Sequence, residues 1–177
     1  GGNMYSAIDA YSAALFYSIT YVVTTLGTFG VILLMTRSGF EAENIDDFKG
    51  LNQRSPWFAA IMMLLMLSLA GVPPLMGFYA KLSVLRAAMG TGQLWLPIVA
   101  VLFSLIGAFY YLRVIKVMYF DDAQDTTKIV SHFDARVVLS LNGIAVLALG
   151  LFPGFLMEAS HSAITRTLAS FVSRLAS

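Results

Sequence analysis

The sequence predicts an all-α, polytopic membrane helix bundle with about four transmembrane helices, the second discontinuous, and a short C-terminal amphipathic helix. Hydrophobic residues make up 58% of the chain and charged residues only 12%, whereas soluble domains carry roughly 25% charged residues. Apolar blocks at about residues 10–36, 56–89, 94–120 and 136–157 each reach the roughly 20 residues that a membrane-spanning helix needs. None of them alternates apolar and polar residues as barrel strands do.

Composition also limits the function. The chain contains no cysteine, so it has neither disulfides nor thiolate metal ligands, and we predict no metal site. Because the formal net charge is only +1, we predict that the chain has no nucleic-acid partner. We expect residues 1–177 to form a single membrane domain. Because the chain starts with Gly1 rather than Met, we expect it to be part of a longer protein.

The first block carries a stripe of hydroxyl groups along one helical face. Its members recur every three or four residues, at Tyr17, Tyr21, Thr24 and Thr28, with Thr20 beside them. Two interpretations remain open. These side chains could line a hydrated path, or they could form hydrogen bonds between helices or to their own backbone.

The second block is too long for one straight span. Its 34 residues (56–89) would form a helix of about 51 Å, whereas the hydrocarbon core is about 30 Å thick. Pro73 and Pro74 lack amide hydrogens and disfavour helix before them, while Gly71 and Gly77 tolerate unusual backbone conformations. We therefore predict a helix break within about residues 71–77.

The predicted break would join half-helices at about Pro56–Ala70 and Gly77–Met89 by an extended peptide at membrane depth. Backbone groups without helical partners cannot face lipid, so the break must be buried in protein or face a watery cavity. Lys81 follows in the first turns of the second half-helix. It could snorkel to the membrane surface, as we expect of Arg86. The neighbouring break favours a second interpretation, a protonatable relay, because a buried lysine can gain and lose a proton near neutral pH.

The remaining blocks supply packing and orientation. We predict that Asn142 in the fourth block forms an interhelical hydrogen bond. The polar tail 158–177 has apolar residues at helical spacing, which is typical of an interfacial helix. Lysines and arginines concentrate in and around the long loops near residues 37–55 and 121–136. By the positive-inside rule, these loops are predicted to be cytoplasmic.

Three stretches together resemble a known family. They are DFKGLNQRSPWFAAIMMLLMLSLAG, LAGVPPLMGFYAKL and IGAFYYLRVIKVMYF. The chain is similar, from about Tyr11 to Phe155, to the antiporter-like, proton-translocating subunits of NADH–quinone oxidoreductase, respiratory complex I, and within them to the subunit N branch. A sister branch carries a glutamate where this chain has Lys81.

The resemblance implies a fold of two inverted repeats, each with a broken helix, of which this chain would supply the last four spans. It implies that Lys81 ends a chain of buried charged residues that moves protons, most of which this chain lacks. It further implies no cofactor on this chain, since other subunits bind NADH, FMN, iron–sulfur clusters and quinone. The expected partners are other membrane subunits and the lipid bilayer, in a bacterial inner membrane. A subunit of a multi-subunit cation/proton antiporter and a non-translocating membrane scaffold remain the alternatives.

Overall fold

The structure, a computed structural model, describes residues 2–37, 44–90, 92, 94–123 and 133–175, and side chains within these ranges except those of residues 2–5, 37 and 175. All regular secondary structure in these ranges is helical, which confirms the predicted all-α class. The helices are α1 (Gly2–Arg37), α2 (Leu51–Arg54), α3 (Pro56–Ala70), α4 (Met76–Met89), α5 (Trp95–Phe120), α6 (Phe133–Leu151) and α7 (Pro153–Leu175), with a 3-10 turn at Ile45–Phe48.

The lengths and composition of the helices fit a membrane. Within the described ranges, three helical segments are long and apolar enough to cross a bilayer: Ser6–Thr36, Trp95–Phe120 and Phe133–Leu151. Helices α3 and α4 contain 15 and 14 residues, so each is only about 21–23 Å long. Neither crosses a hydrocarbon core of about 30 Å by itself, whereas the two together can. The predicted polytopic bundle with a discontinuous second span is confirmed.

The interruption occupies residues 71–75, between the end of α3 and the start of α4. Gly71 ends α3 in the left-handed conformation, with φ of 86°, and its amide donates to the Leu67 and Ser68 carbonyls. Side chains other than glycine rarely adopt this conformation. Gly77 differs from the prediction, because it lies inside the first turn of α4. It permits a close helix approach, described below, rather than an unusual backbone conformation.

The first span is longer than predicted. Helix α1 begins at Gly2 instead of about residue 10, and it packs against α7. Asp9 and His161 come within 3.9 Å of each other across this contact. Hydropathy alone could not reveal this extension, since tertiary packing rather than apolar composition stabilises it.

The predicted end of the fourth span was wrong. Helix α6 ends at Leu151 rather than near residue 157, because Pro153 disfavours helix at Phe152 and occupies the first position of a new helix. The amphipathic helix α7 is therefore 23 residues long and not short. Its less exposed residues, at helical spacing, are Pro153, Leu156, Ser160, Ile164 and Leu168.

Helix α1 is the centre of the bundle and packs against α3, α4, α6 and α7. The buried apolar core joins the last turns of α1 and α5 to α3 and α6. It also includes residues of the 3-10 turn and of α2. Its fully buried members are Val31, Met35, Leu51, Phe58, Ala59, Leu65, Met118 and Val146. The core therefore fills one end of the bundle and leaves open space near the break.

Asn142 ties α6 to α1. Its Nδ2 donates to the Val23 carbonyl at 2.9 Å, which confirms the predicted interhelical hydrogen bond. We expect Asn142→Ala to lower the free energy of unfolding by about 1 kcal/mol, a usual value for such bonds between membrane helices. Denaturation of the purified full-length subunit in detergent measures this. Ser18→Ala is the control, because exposed Ser18 bonds only its own helix; equal stabilities of the two variants would contradict the prediction.

Candidate functional site

A cavity of about 640 Å³ opens at the helix break, between α1, α3, α4 and α5. Apolar side chains form most of its wall, and hydroxyl groups, backbone and one ammonium supply the polar part. The polar and aromatic side chains that line it are Tyr17, Thr20, Tyr21, Thr24, Ser68, Phe78, Lys81, Phe103, Ser104 and Tyr111. The last residues of α3 and Gly71 of the break therefore line a cavity, one of the two environments in which unpaired backbone groups of a membrane span can lie.

The ammonium of Lys81 binds at the break itself. Its Nζ donates to the carbonyls of Leu69 at 2.9 Å and Ala70 at 3.0 Å, and to Ser104 Oγ at 2.7 Å. An ammonium has three N–H donors, so these three acceptors satisfy it completely. The side chain thus extends from α4 toward the end of α3 and not toward the end of its own helix.

The two prolines explain why these carbonyls are free to accept. In a continuous helix, the Leu69 and Ala70 carbonyls would accept from the amides four residues later, which are at Pro73 and Pro74. Proline has no N–H, so both carbonyls need another donor. They also lie at the C-terminal end of α3, where the helix dipole favours a cation. The proline pair therefore creates the site that Lys81 occupies.

Glycine residues make room for this arrangement. A Cβ at Gly71 would lie 3.0 Å from Lys81 Cδ, so a side chain there would crowd the lysine. A Cβ at Gly77 would overlap the Ser68 carbonyl oxygen, and the Gly77 amide donates to Ser68 Oγ at 3.2 Å. On the other side, Gly150 of α6 packs directly against the break, where a Cβ would lie 2.6 Å from the Pro74 oxygen.

The hydroxyl stripe of α1 lies only partly on the cavity. Tyr17, Tyr21 and Thr24 line it, whereas Thr28 is not among the lining residues. Thr24 and Thr28 donate to the backbone carbonyls four residues earlier, at 2.8 and 3.0 Å. These bonds agree with the interpretation that the hydroxyls bond their own backbone, and the use of the stripe as a path stays a prediction. Thr20 Oγ1 is buried at the cavity without a hydrogen-bond partner in the structure.

Ser104 and Ser68 were not anticipated from the sequence. Ser104 is the one hydroxyl residue in the otherwise apolar stretch from Leu94 to Phe109, and this isolation was the only signal available. Within the described ranges, no three His, Asp or Glu side chains gather as metal ligands. Of the two histidines of the chain, His132 lies outside these ranges.

Comparisons with known proteins identify sequence relatives. Residues 2–107 match the family described as NADH:quinone oxidoreductase/Mrp antiporter, transmembrane. The protein called NADH-quinone oxidoreductase subunit N from Herminiimonas arsenicoxydans is 68% identical over 93% of this chain and 33% of its own length. The one of the same name from Paraburkholderia phymatum is 59% identical over 94% of this chain and 34% of its own length. The chain thus spans about a third of these curated relatives.

Solved structures share the fold. A chain of respiratory complex I from Thermus thermophilus is 27% identical, with a TM-score of 0.72 over 87% of this chain and 36% of that chain. A chain of the membrane-bound sulfane sulfur reductase, an archaeal respiratory membrane complex, is 26% identical, with a TM-score of 0.75 over 89% of this chain and 32% of that chain. Both resemblances extend over most of this chain.

Proposed function

Since the chain belongs to the NADH:quinone oxidoreductase/Mrp antiporter family of transmembrane subunits, we propose that it is the C-terminal part of a proton-translocating subunit of NADH–quinone oxidoreductase. In this proposal Lys81 is a proton relay, and the break formed by Gly71, Pro73 and Pro74 holds it at membrane depth. Electron transfer from NADH to quinone in other subunits drives the proton movement. NADH, FMN, iron–sulfur clusters and quinone bind to those subunits.

The observation that carries the proposal is the position of the Lys81 ammonium. It lies at an interrupted span, bound by two carbonyls and a hydroxyl, on the wall of a cavity. Ionisable groups within membrane spans are costly and mark ion or proton pathways. Broken helices at the midplane of transporters place polar groups in the same way. Both facts support a relay over a purely structural lysine.

Lys81→Ala in the full-length subunit of the assembled complex tests the proposal. We expect NADH-driven proton translocation into inverted membrane vesicles to fall by about a hundredfold, the lower range for losing a group that transfers protons. Arg86→Ala is the control, because it removes an exposed positive charge from the same half-helix. Full translocation in the Lys81 variant would favour the scaffold alternative.

A subunit of a cation/proton antiporter is the second candidate, because the description of the matching family includes the Mrp antiporter. The names of the similar relatives favour the first candidate. Purification of the full-length subunit from its native membrane separates the two. Co-purifying flavin- and iron–sulfur-containing subunits support the oxidoreductase, whereas antiporter subunits without redox centres support the alternative.

The proposed location is a bacterial inner membrane, with other membrane subunits of the complex and lipid as neighbours. Helix α5 exposes many large apolar side chains in the structure, among them Phe103, Leu105 and Phe109, and such a surface is suited to lipid or to a neighbouring apolar helix. The distribution of lysine and arginine supports cytoplasmic long loops.

A further inference from the structure

The hydrogen bonds of Lys81 differ in what they can do after a proton is lost. The ammonium has three N–H donors, which match the Leu69 carbonyl, the Ala70 carbonyl and Ser104 Oγ. When one proton leaves, the neutral amine keeps two N–H donors and gains one lone pair that accepts. The two carbonyls can still take the two remaining donors, but neither can donate to the lone pair.

Ser104 can serve both charge states. A serine hydroxyl both accepts and donates, and it turns about its C–O bond to do either. It accepts from the ammonium at 2.7 Å, and after proton loss it can turn and donate to the amine at the same place. We propose that Ser104 is a positioning residue that keeps the Lys81 nitrogen at the end of α3 in both charge states. This inference rests on the proposed relay function of Lys81.

The other groups that face the cavity do not duplicate this role. In the described lining, the only side chains besides Lys81 that titrate are the phenols of Tyr17, Tyr21 and Tyr111, and no carboxylate, histidine or arginine occurs there. Among the described residues, Ser104 is the only side chain found to bond the Lys81 nitrogen, whose other two partners are backbone carbonyls. An unsatisfied buried group is costly. Without Ser104, no side chain among the described residues would donate to the neutral amine or accept from the ammonium at this place.

The test compares three changes at Ser104 in the full-length subunit of the assembled complex. We expect Ser104→Ala to slow NADH-driven proton translocation about tenfold, the factor that follows from one lost bond to a buried charged group. Ser104→Cys keeps the shape of the side chain but forms only weak hydrogen bonds. Its translocation rate should therefore fall as it does in Ser104→Ala. Ser104→Thr retains the hydroxyl and should restore most of the rate.

The control and a second readout exclude a merely structural effect. Ser83→Ala removes a half-buried hydroxyl from the same half-helix as Lys81, where it bonds the Ala80 carbonyl, and it should translocate like wild type. Rates are compared per amount of assembled complex across a pH series. Ser104→Thr should keep the wild-type pH profile, and Ser104→Ala and Ser104→Cys should change it.

The outcomes separate this inference from the proposed function. If Lys81→Ala stops translocation while both Ser104→Ala and Ser104→Cys behave like Ser83→Ala, Ser104 has no positioning role and the relay function stands. If Lys81→Ala itself translocates normally, the relay function fails and the inference about Ser104 fails with it. Loss in Ser104→Ala and Ser104→Cys, with recovery in Ser104→Thr, supports both.

Discussion

Gly77→Ala is expected to destabilise the subunit by about 3 kcal/mol or more, the upper range for overpacking a tight contact. The added Cβ would overlap the Ser68 carbonyl oxygen and would lie 2.7 Å from the carbonyl carbon. Both atoms are backbone, so neither can turn aside as a flexible side chain would. Helices α3 and α4 would have to separate, which would also break the bond from the Gly77 amide to Ser68 Oγ. The measurements are the amount of subunit in the assembled complex and its thermal denaturation in detergent.

Gly143→Ala is the matched control, since it adds the same atom to a helical glycine in another helix contact. Its Cβ would meet the Ile61 side chain at 3.5 Å, an ordinary van der Waals distance. Alanine is also the better helix former. We expect this variant to assemble and melt like wild type or slightly above it. Equal stability of the Gly77 and Gly143 variants would show that α3 and α4 can shift apart without cost.

The break could be predicted from the sequence because its causes are local. Pro73 and Pro74 remove two helical hydrogen bonds, and the block that contains them exceeds the membrane thickness. The same reasoning could have named the Leu69 and Ala70 carbonyls as the groups left unpaired, because they precede the prolines by four residues. Lys81 was then the nearest cationic side chain, seven residues after Pro74, with Arg86 five residues further along.

Features that depend on distant packing could not be predicted in this way. Ser104 lies 23 residues from Lys81 in the sequence, and its approach is set by how α5 packs against α3 and α4. Helix α1 packs against α7, a contact that apolar periodicity does not reveal. Gly77 was recognised as part of the break, but its steric role emerged only with the position of Ser68.

Lys81→Arg is expected to reduce NADH-driven proton translocation as strongly as Lys81→Ala, by about a hundredfold. Arginine retains a positive charge and N–H groups that can donate to the α3 carbonyls. Its guanidinium, however, cannot be deprotonated in proteins. A group that stays charged can stabilise the helix end and cannot pass a proton on. The measurement is the rate of proton uptake by inverted vesicles, per amount of assembled complex.

Lys116→Arg is the matched control, because this lysine is exposed and pairs with Asp121 at 2.7 Å, a role that arginine can fill. Together with Lys81→Ala, the arginine variant separates two contributions of one side chain. Alanine removes both the charge at the break and the exchangeable proton, whereas arginine removes only the proton exchange. If Lys81 merely caps α3, the complex with Lys81→Arg should translocate protons as fast as the Lys116→Arg control. If Lys81 relays protons, arginine should leave the complex assembled and translocation lost, because the helix end needs a cation and the pathway needs one that can become neutral.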